Sequence, residues 1–188
     1  NNISLLALSL VAGVLVDAAT SLVAKVVPAP DRAVRKRRIA GGLRACAEGG
    51  LTVSTIASSV LISLFNSRDR SHAQTVAWFR EAVADGEPLR APVTALAEVS
   101  AAIAAGTGEK QLARDVETHV RHSPLFELLP IALPLADRAA TLAAEHQLRG
   151  SDAIYFAVAE TLGDTLVTLN PRQLQRGSAV VETQRPRV

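Results

Sequence analysis

From residue 51 onward, short β-branched runs alternate with stretches of helical periodicity, and this alternation constrains the fold more than any other feature of the chain. Residues 51–56 alternate and are β-branched, which predicts a strand. Residues 58–65 open on the cap-forming Ser58 and Ser59 and continue as a short apolar helix. After a polar turn at 66–71, a helix over 72–84 places Ala73, Val76, Phe79 and Val83 on one face. A strand at 89–92 follows, then a helix at 94–105 stopped by Gly106, Thr107 and Gly108. A more polar helix spans 109–121, and a strand 125–129. Pro134 opens an Ala-rich helix to His146 with Leu135, Ala139, Leu142 and Ala143 inward. Gly150 and Ser151 break that helix and cap the next, over 151–162. A strand at 165–169, a turn or short helix at 171–175 and a last strand at 179–182 complete the pattern. Strands separated by helices pair in parallel, with helices over both faces. The expected class is α/β: a short, mainly parallel sheet flanked by helices, with an N-terminal extension.

That extension differs in character. Residues 1–50 carry seven Lys/Arg and three Asp/Glu, a net +4, whereas the rest carries 13 and 15, a net −2. The basicity therefore belongs to the extension, and the main body has no general pull on nucleic acid, so any such binding is local. Residues 3–27 are apolar apart from Asp17 and Lys25 and precede Arg35-Lys36-Arg37-Arg38. Three readings stand: a membrane or peripheral helix, a helix packed on the body or a partner, and an extension that is not natively folded. Asp17 falls in mid-span, and no basic segment precedes the run, which counts against a signal peptide. The Arg35–Arg38 run reads as a solvated linker rather than as an RNA-binding patch. Methionine is absent even at position 1, as expected of a chain read from downstream of its start codon or from a misplaced start. Cys46 is the single cysteine, so no intrachain disulfide forms and a reducing, cytoplasmic compartment is expected. The expected organisation is an extension at 1–50, one domain at 51–183 and a tail at 184–188.

Two carboxylates stand out. Glu98 lies inside an otherwise small, apolar helix, in water at its edge or drawn to a cation. Asp152 falls in the first turn of its helix, where the dipole stabilises an acid whatever else it does. His119 and His122 lie three apart on one helix but lack an evident third ligand, so an exposed polar face is expected. His72 reads as a helix-start residue, and Trp78 and Tyr155 as packing residues. Arg149, Arg172 and Arg176 flank the acidic stretch and are candidates for phosphate contacts or for plain surface solubility.

The segments Ser58 to Phe65, Asp69-Arg70-Ser71-His72, Ala91-Pro92 through Glu98-Val99, Leu148 through Tyr155, and Leu166-Val167-Thr168-Leu169-Asn170 occur in an order and spacing that resemble the PIN-domain family. Within it they are most similar to the VapC-like toxins of bacterial toxin–antitoxin pairs. The resemblance covers residues 51–183 and implies a PIN-like three-layer fold. It implies metal-dependent hydrolysis of RNA phosphodiesters, with Glu98 and Asp152 as ligands of Mg²⁺ or Mn²⁺ and Asn170 completing the catalytic set. By the same likeness Thr168 and Ser59 support the ligand carboxylates, and Arg149 and Arg172 bind substrate. It further implies an RNA substrate, an antitoxin partner that occupies the acidic groove, and a homodimer.

One position departs from the pattern. The first strand of such domains ends in Asp, and here that position is Ala57, whose methyl group ligates nothing. Asp17 superficially resembles the missing motif, but the segment from Asp69 follows Ala57 at the proper distance. The expectation is a weakened nuclease, natural, engineered or decayed. Its alternative is a PIN-fold module that binds RNA or an antitoxin without cutting. A membrane-tethered protein acting through residues 3–27 is a third.

Overall fold

The computed structural model describes residues 53–187. The extension, with Asp17, Cys46 and the basic run, lies outside the described residues, as do the first two positions of the expected first strand.

The elements follow in the order β1 (Ser54–Ile56), α1 (Ser58–Phe65), α2 (His72–Ala84), β2 (Leu89–Pro92), α3 (Thr94–Thr107), α4 (Lys110–His122), β3 (Phe126–Leu129), α5 (Leu133–His146), α6 (Gly150–Leu162), β4 (Thr165–Val167), α7 (Pro171–Arg176), a 3₁₀ turn (Gly177–Ala179) and β5 (Thr183–Gln184). The five strands form one sheet in the order β3-β2-β1-β4-β5. Every pairing is parallel, with Ser54 opposite Leu89 and Thr165, and Leu89 opposite Phe126. The expected α/β fold with a parallel sheet is therefore correct. All three residues of β1 are buried. Because successive side chains point to opposite faces, the central strand is covered on both.

The core joins Ile56, Leu166 and Val167 of the central strands to Phe156, Ala157 and Ala159 of α6. Helix α6 touches β1, β2 and β4, which brings its N-terminal turn to the C-terminal edge of the sheet. Gly163, at φ +70°, ends α6 in a left-handed turn that an L side chain rarely adopts.

Five details differ from the sequence reading, the first being that α3 runs through Gly106 to Thr107 and ends on Gly108 at φ +77°. The cap of α6 is Arg149 rather than Gly150 or Ser151, which are its first helical residues, and α5 ends on Gln147 at φ +52°. Helix α2 turns Thr75, Trp78, Phe79, Ala82 and Val83 inward and leaves Ala73 exposed. Thr75 is accepted there because Ser63 Oγ lies 3.1 Å from its hydroxyl. Strand β4 ends at Val167, although the Thr168 N–H still donates to the Gln184 C=O (2.9 Å) while its hydroxyl enters a side-chain network. The last strand forms at Thr183–Gln184, not at 179–182. There the chain first makes its 3₁₀ turn, with the Gly177 backbone pressed on the Phe156 ring: a Cβ at 177 would fall 1.8 Å from a ring carbon. Among the described residues no helix is long and apolar enough to cross a membrane.

Candidate active site

Strand β1 hands directly to α1 at Ala57. The Ala57 N–H donates to Val167 C=O (2.9 Å), and its own C=O accepts from the Val60 N–H (2.9 Å). Its extended backbone (φ −75°, ψ 154°) makes it the cap residue of α1, a role its methyl group cannot perform. The two following serines face different partners. Ser58 Oγ donates to Glu98 Oε2. Ser59 Oγ accepts from the Leu169 N–H (3.1 Å) and lies 3.3 Å from Thr168 Oγ1.

Glu98 sits in the second turn of α3, half-buried among small residues. Its Oε2 also accepts from the Tyr155 hydroxyl at 2.8 Å. Tyr155 is therefore more than a packing residue. Burial above all, with the adjacent Glu98 charge, pushes its phenol well above the ordinary range, so it remains a donor. Asp152 lies on the same face of α6, three residues before Tyr155. Its Oδ1 accepts from Gln173 Nε2 (3.0 Å) and, at a long 3.4 Å, from Asn170 Nδ2. Burial raises the Asp152 carboxyl above its usual value; the Arg149 charge opposes this, and Glu98 adds to it. Through Tyr155, one turn along α6 from Asp152, two carboxylates from helices far apart in sequence come to the C-terminal edge of the sheet.

Each of the two is tied through one oxygen only. Glu98 Oε1 and Asp152 Oδ2 have no hydrogen-bond partner among the described residues, yet neither is a buried orphan, so solvent reaches both. Among the described residues no Lys, Arg or His pairs with either within 4 Å. All the donors that fix them are neutral. Such a pair of open, uncompensated oxygens suits a hard divalent cation, for which one or two carboxylates plus waters suffice with Mg²⁺. No group of three or more His, Cys, Asp or Glu side chains forms among the described residues. Ala57, at the end of β1, adds a methyl group and no ligand atom.

The other expected residues divide. Asn170 caps α7, its Oδ1 accepting from the Arg172 N–H at 3.0 Å, with Pro171 at the first helical position. Thr168 is fully buried beside Ser59 and Gln173. Arg149 and Arg172 are exposed at the helix starts flanking Asp152. Arg176 donates to the Gln147 carbonyl and is committed to that link. His72 Nδ1 meets Ser63 C=O at 2.8 Å, as fits a helix-start residue. His122 is exposed on Thr118 C=O. His119 is not on an exposed face: it packs edge-on against Phe65, and burial lowers its pKa. Gln173, Ser58 and the Tyr155 hydroxyl are the members that the sequence reading missed. Gln173 had one available signal, its place three residues after Asn170 on the same short helix.

The PIN domain family model matches residues 56–178, and the chain belongs to that family. No curated protein sequence matches it. Similar solved structures include VapC20 of Mycobacterium tuberculosis, a Sarcin-Ricin loop cleaving toxin (18% identity, 71% of this chain and 99% of that one, TM-score 0.58). FitAcB of Neisseria gonorrhoeae aligns at 18% identity over 71% and 98%, with a TM-score of 0.56. VapBC2 of Rickettsia felis, bound to a promoter DNA fragment, aligns at 13% over 71% and 98%, with a TM-score of 0.53.

Proposed function

We propose that residues 51–183 form a ribonuclease domain of a toxin–antitoxin pair, attenuated at position 57. The observation that carries this reading is the presentation of Glu98 Oε1 and Asp152 Oδ2, each unpaired and open, at one sheet edge. Glu98 and Asp152 would hold Mg²⁺ or Mn²⁺, whose chemistry is to lower the pKa of a bound water and to stabilise charge at the phosphorus as an RNA phosphodiester is cut. Ser58 and Tyr155 hold the first carboxylate in place, and Asn170 steers the second. Thr168 and Ser59 brace the turn that carries Asn170. Arg149 and Arg172 meet backbone phosphates of the substrate. The partners proposed are RNA, an antitoxin and a second copy of the chain, in the cytoplasm; VapBC2 and FitAcB, similar in fold, support a toxin–antitoxin setting.

Ala57 favours a second reading, a PIN-fold protein that binds RNA or an antitoxin without cutting. Cleavage of an RNA pool with Mn²⁺ separates the two. Ala57→Asp is expected to raise the rate by at least the 10–100-fold that even outer contacts of a metal site are worth, about 1.4–2.7 kcal/mol. The gain is expected to vanish when Asp152→Asn is added. A folded Ala57→Asp chain that cuts no faster than the parent leaves the binding reading in possession.

A further inference from the structure

Gln173 is 2% exposed, on a six-residue helix whose other members are mostly exposed. A buried primary amide has two donors and an acceptor to satisfy, and here the donor end and the acceptor end are used on different elements. Its Oε1 accepts from Thr168 Oγ1, and its Nε2 donates to Asp152 Oδ1 at 3.0 Å. The Thr168 hydroxyl has one proton, and Gln173 receives it. The 3.3 Å contact with Ser59 therefore runs from Ser59 to Thr168, and Ser59 in turn accepts from the Leu169 N–H. The donors are thereby ordered in one direction: Leu169 N–H, Ser59, Thr168, Gln173, Asp152. A backbone amide that cannot reverse fixes the head of this chain, and a carboxylate accepts at its foot. The amide of Gln173 has a single acceptable orientation, because a flip would set Oε1 against the carboxylate and an NH₂ against the Thr168 hydroxyl.

We infer that Gln173 is a positioning residue: it locks the Asp152 side chain in one rotamer through Oδ1, so that Oδ2 alone faces the metal position. The inference rests on the proposed metal site for its use, but not for its test. Without metal, three-bond couplings across χ1 of Asp152 report its rotamer. The parent chain is expected to show one rotamer. Gln173→Leu, which keeps the buried bulk and removes both polar ends, is expected to show averaging over two or more. Thr168→Val, which removes the anchor on the amide oxygen and leaves Nε2 facing the carboxylate, is expected to show partial averaging. Thermal unfolding checks that each variant is folded, and Gln173→Met replaces the leucine variant if that one is not. A folded variant lacking the Gln173 amide, with Asp152 still in one rotamer, overturns the inference.

Mn²⁺ binding, followed by the paramagnetic resonance of the free ion, reads the consequence. The variant is expected to bind about tenfold more weakly than the parent, as for other partners behind a metal ligand. Equal Mn²⁺ affinity in a variant with a mobile Asp152 also overturns the inference. Absence of Mn²⁺ binding in the parent and in Ala57→Asp alike would count instead against the nuclease reading and leave the rotamer result standing.

Discussion

The two ends of the sheet treat acidic groups in opposite ways. At the N-terminal end the Asp164 side chain is wholly buried and is met by the Thr55 hydroxyl (2.8 Å) and by Arg90 Nη1 (2.9 Å), while Arg90 Nε reaches Glu127 (3.0 Å). At the C-terminal end Glu98 and Asp152 receive, among the described residues, only hydroxyl and amide donors. Burial raises the carboxyl pKa of both Asp164 and Asp152. What differs is the counter-charge: Arg90 is in direct contact with the buried acid at one end, and no described Lys, Arg or His pairs directly with the acids at the other. A carboxylate whose charge is already matched within the chain is part of the scaffold, and one that is only steered is available to a ligand.

The largest effect that tests this contrast is on stability. Arg90→Met removes the cation and strands the buried Asp164 charge, which is expected to cost about 3–5 kcal/mol. At the other end, Glu98→Gln keeps an acceptor for Ser58 and Tyr155 and is expected to move stability by less than about 1 kcal/mol. Urea unfolding of both variants checks the pair; equal losses at the two ends would erase the distinction.

A smaller effect separates capping from ligation at position 57. Ala57→Ser supplies the missing side-chain cap of α1 without a charge, worth about 1 kcal/mol. Its unfolding midpoint is expected to rise while Mn²⁺-dependent cleavage stays at the parent level. Cleavage that rises with serine would mean that the deficit at 57 is not the lost carboxylate.

The smallest is a pH slope. Glu87, also at the N-terminal end, accepts from Ser54. Burial raises its pKa from 4.5, the Ser54 bond opposes the rise, and Asp85 and Asp164 add to it. The folded chain then keeps a proton that the unfolded chain has already lost, so stability falls as pH rises from about 4.5 through the folded-state value. Glu87→Gln keeps the acceptor and removes the titration. Its unfolding midpoint is expected to lack that part of the decline between pH 4 and 7.

The fold was legible where periodicity carries it. The change from period two at Ser54–Ile56 to helical spacing at Ser58–Phe65, repeated along the chain, predicts the parallel sheet and the order of its elements, with most boundaries within two residues. It failed where a polar or small residue is decided by a tertiary partner. Thr75 is buried by its bond to Ser63, and Val180 and Val181 look like strand but pack beyond a turn set by Gly177 on Phe156. The candidate site divides in the same manner. Glu98 and Asp152 were visible as acids out of place in apolar helices. Gln173 and the Tyr155 hydroxyl were not, because nothing in a one-dimensional pattern says which polar groups meet across the molecule.

The backbone of Ala57 already holds the dihedrals of a helix cap, the conformation in which aspartate is among the preferred residues. Ala57 is itself only 1% exposed, so an acid installed there loses most of its hydration unless a cation or hydrogen-bond donors meet it.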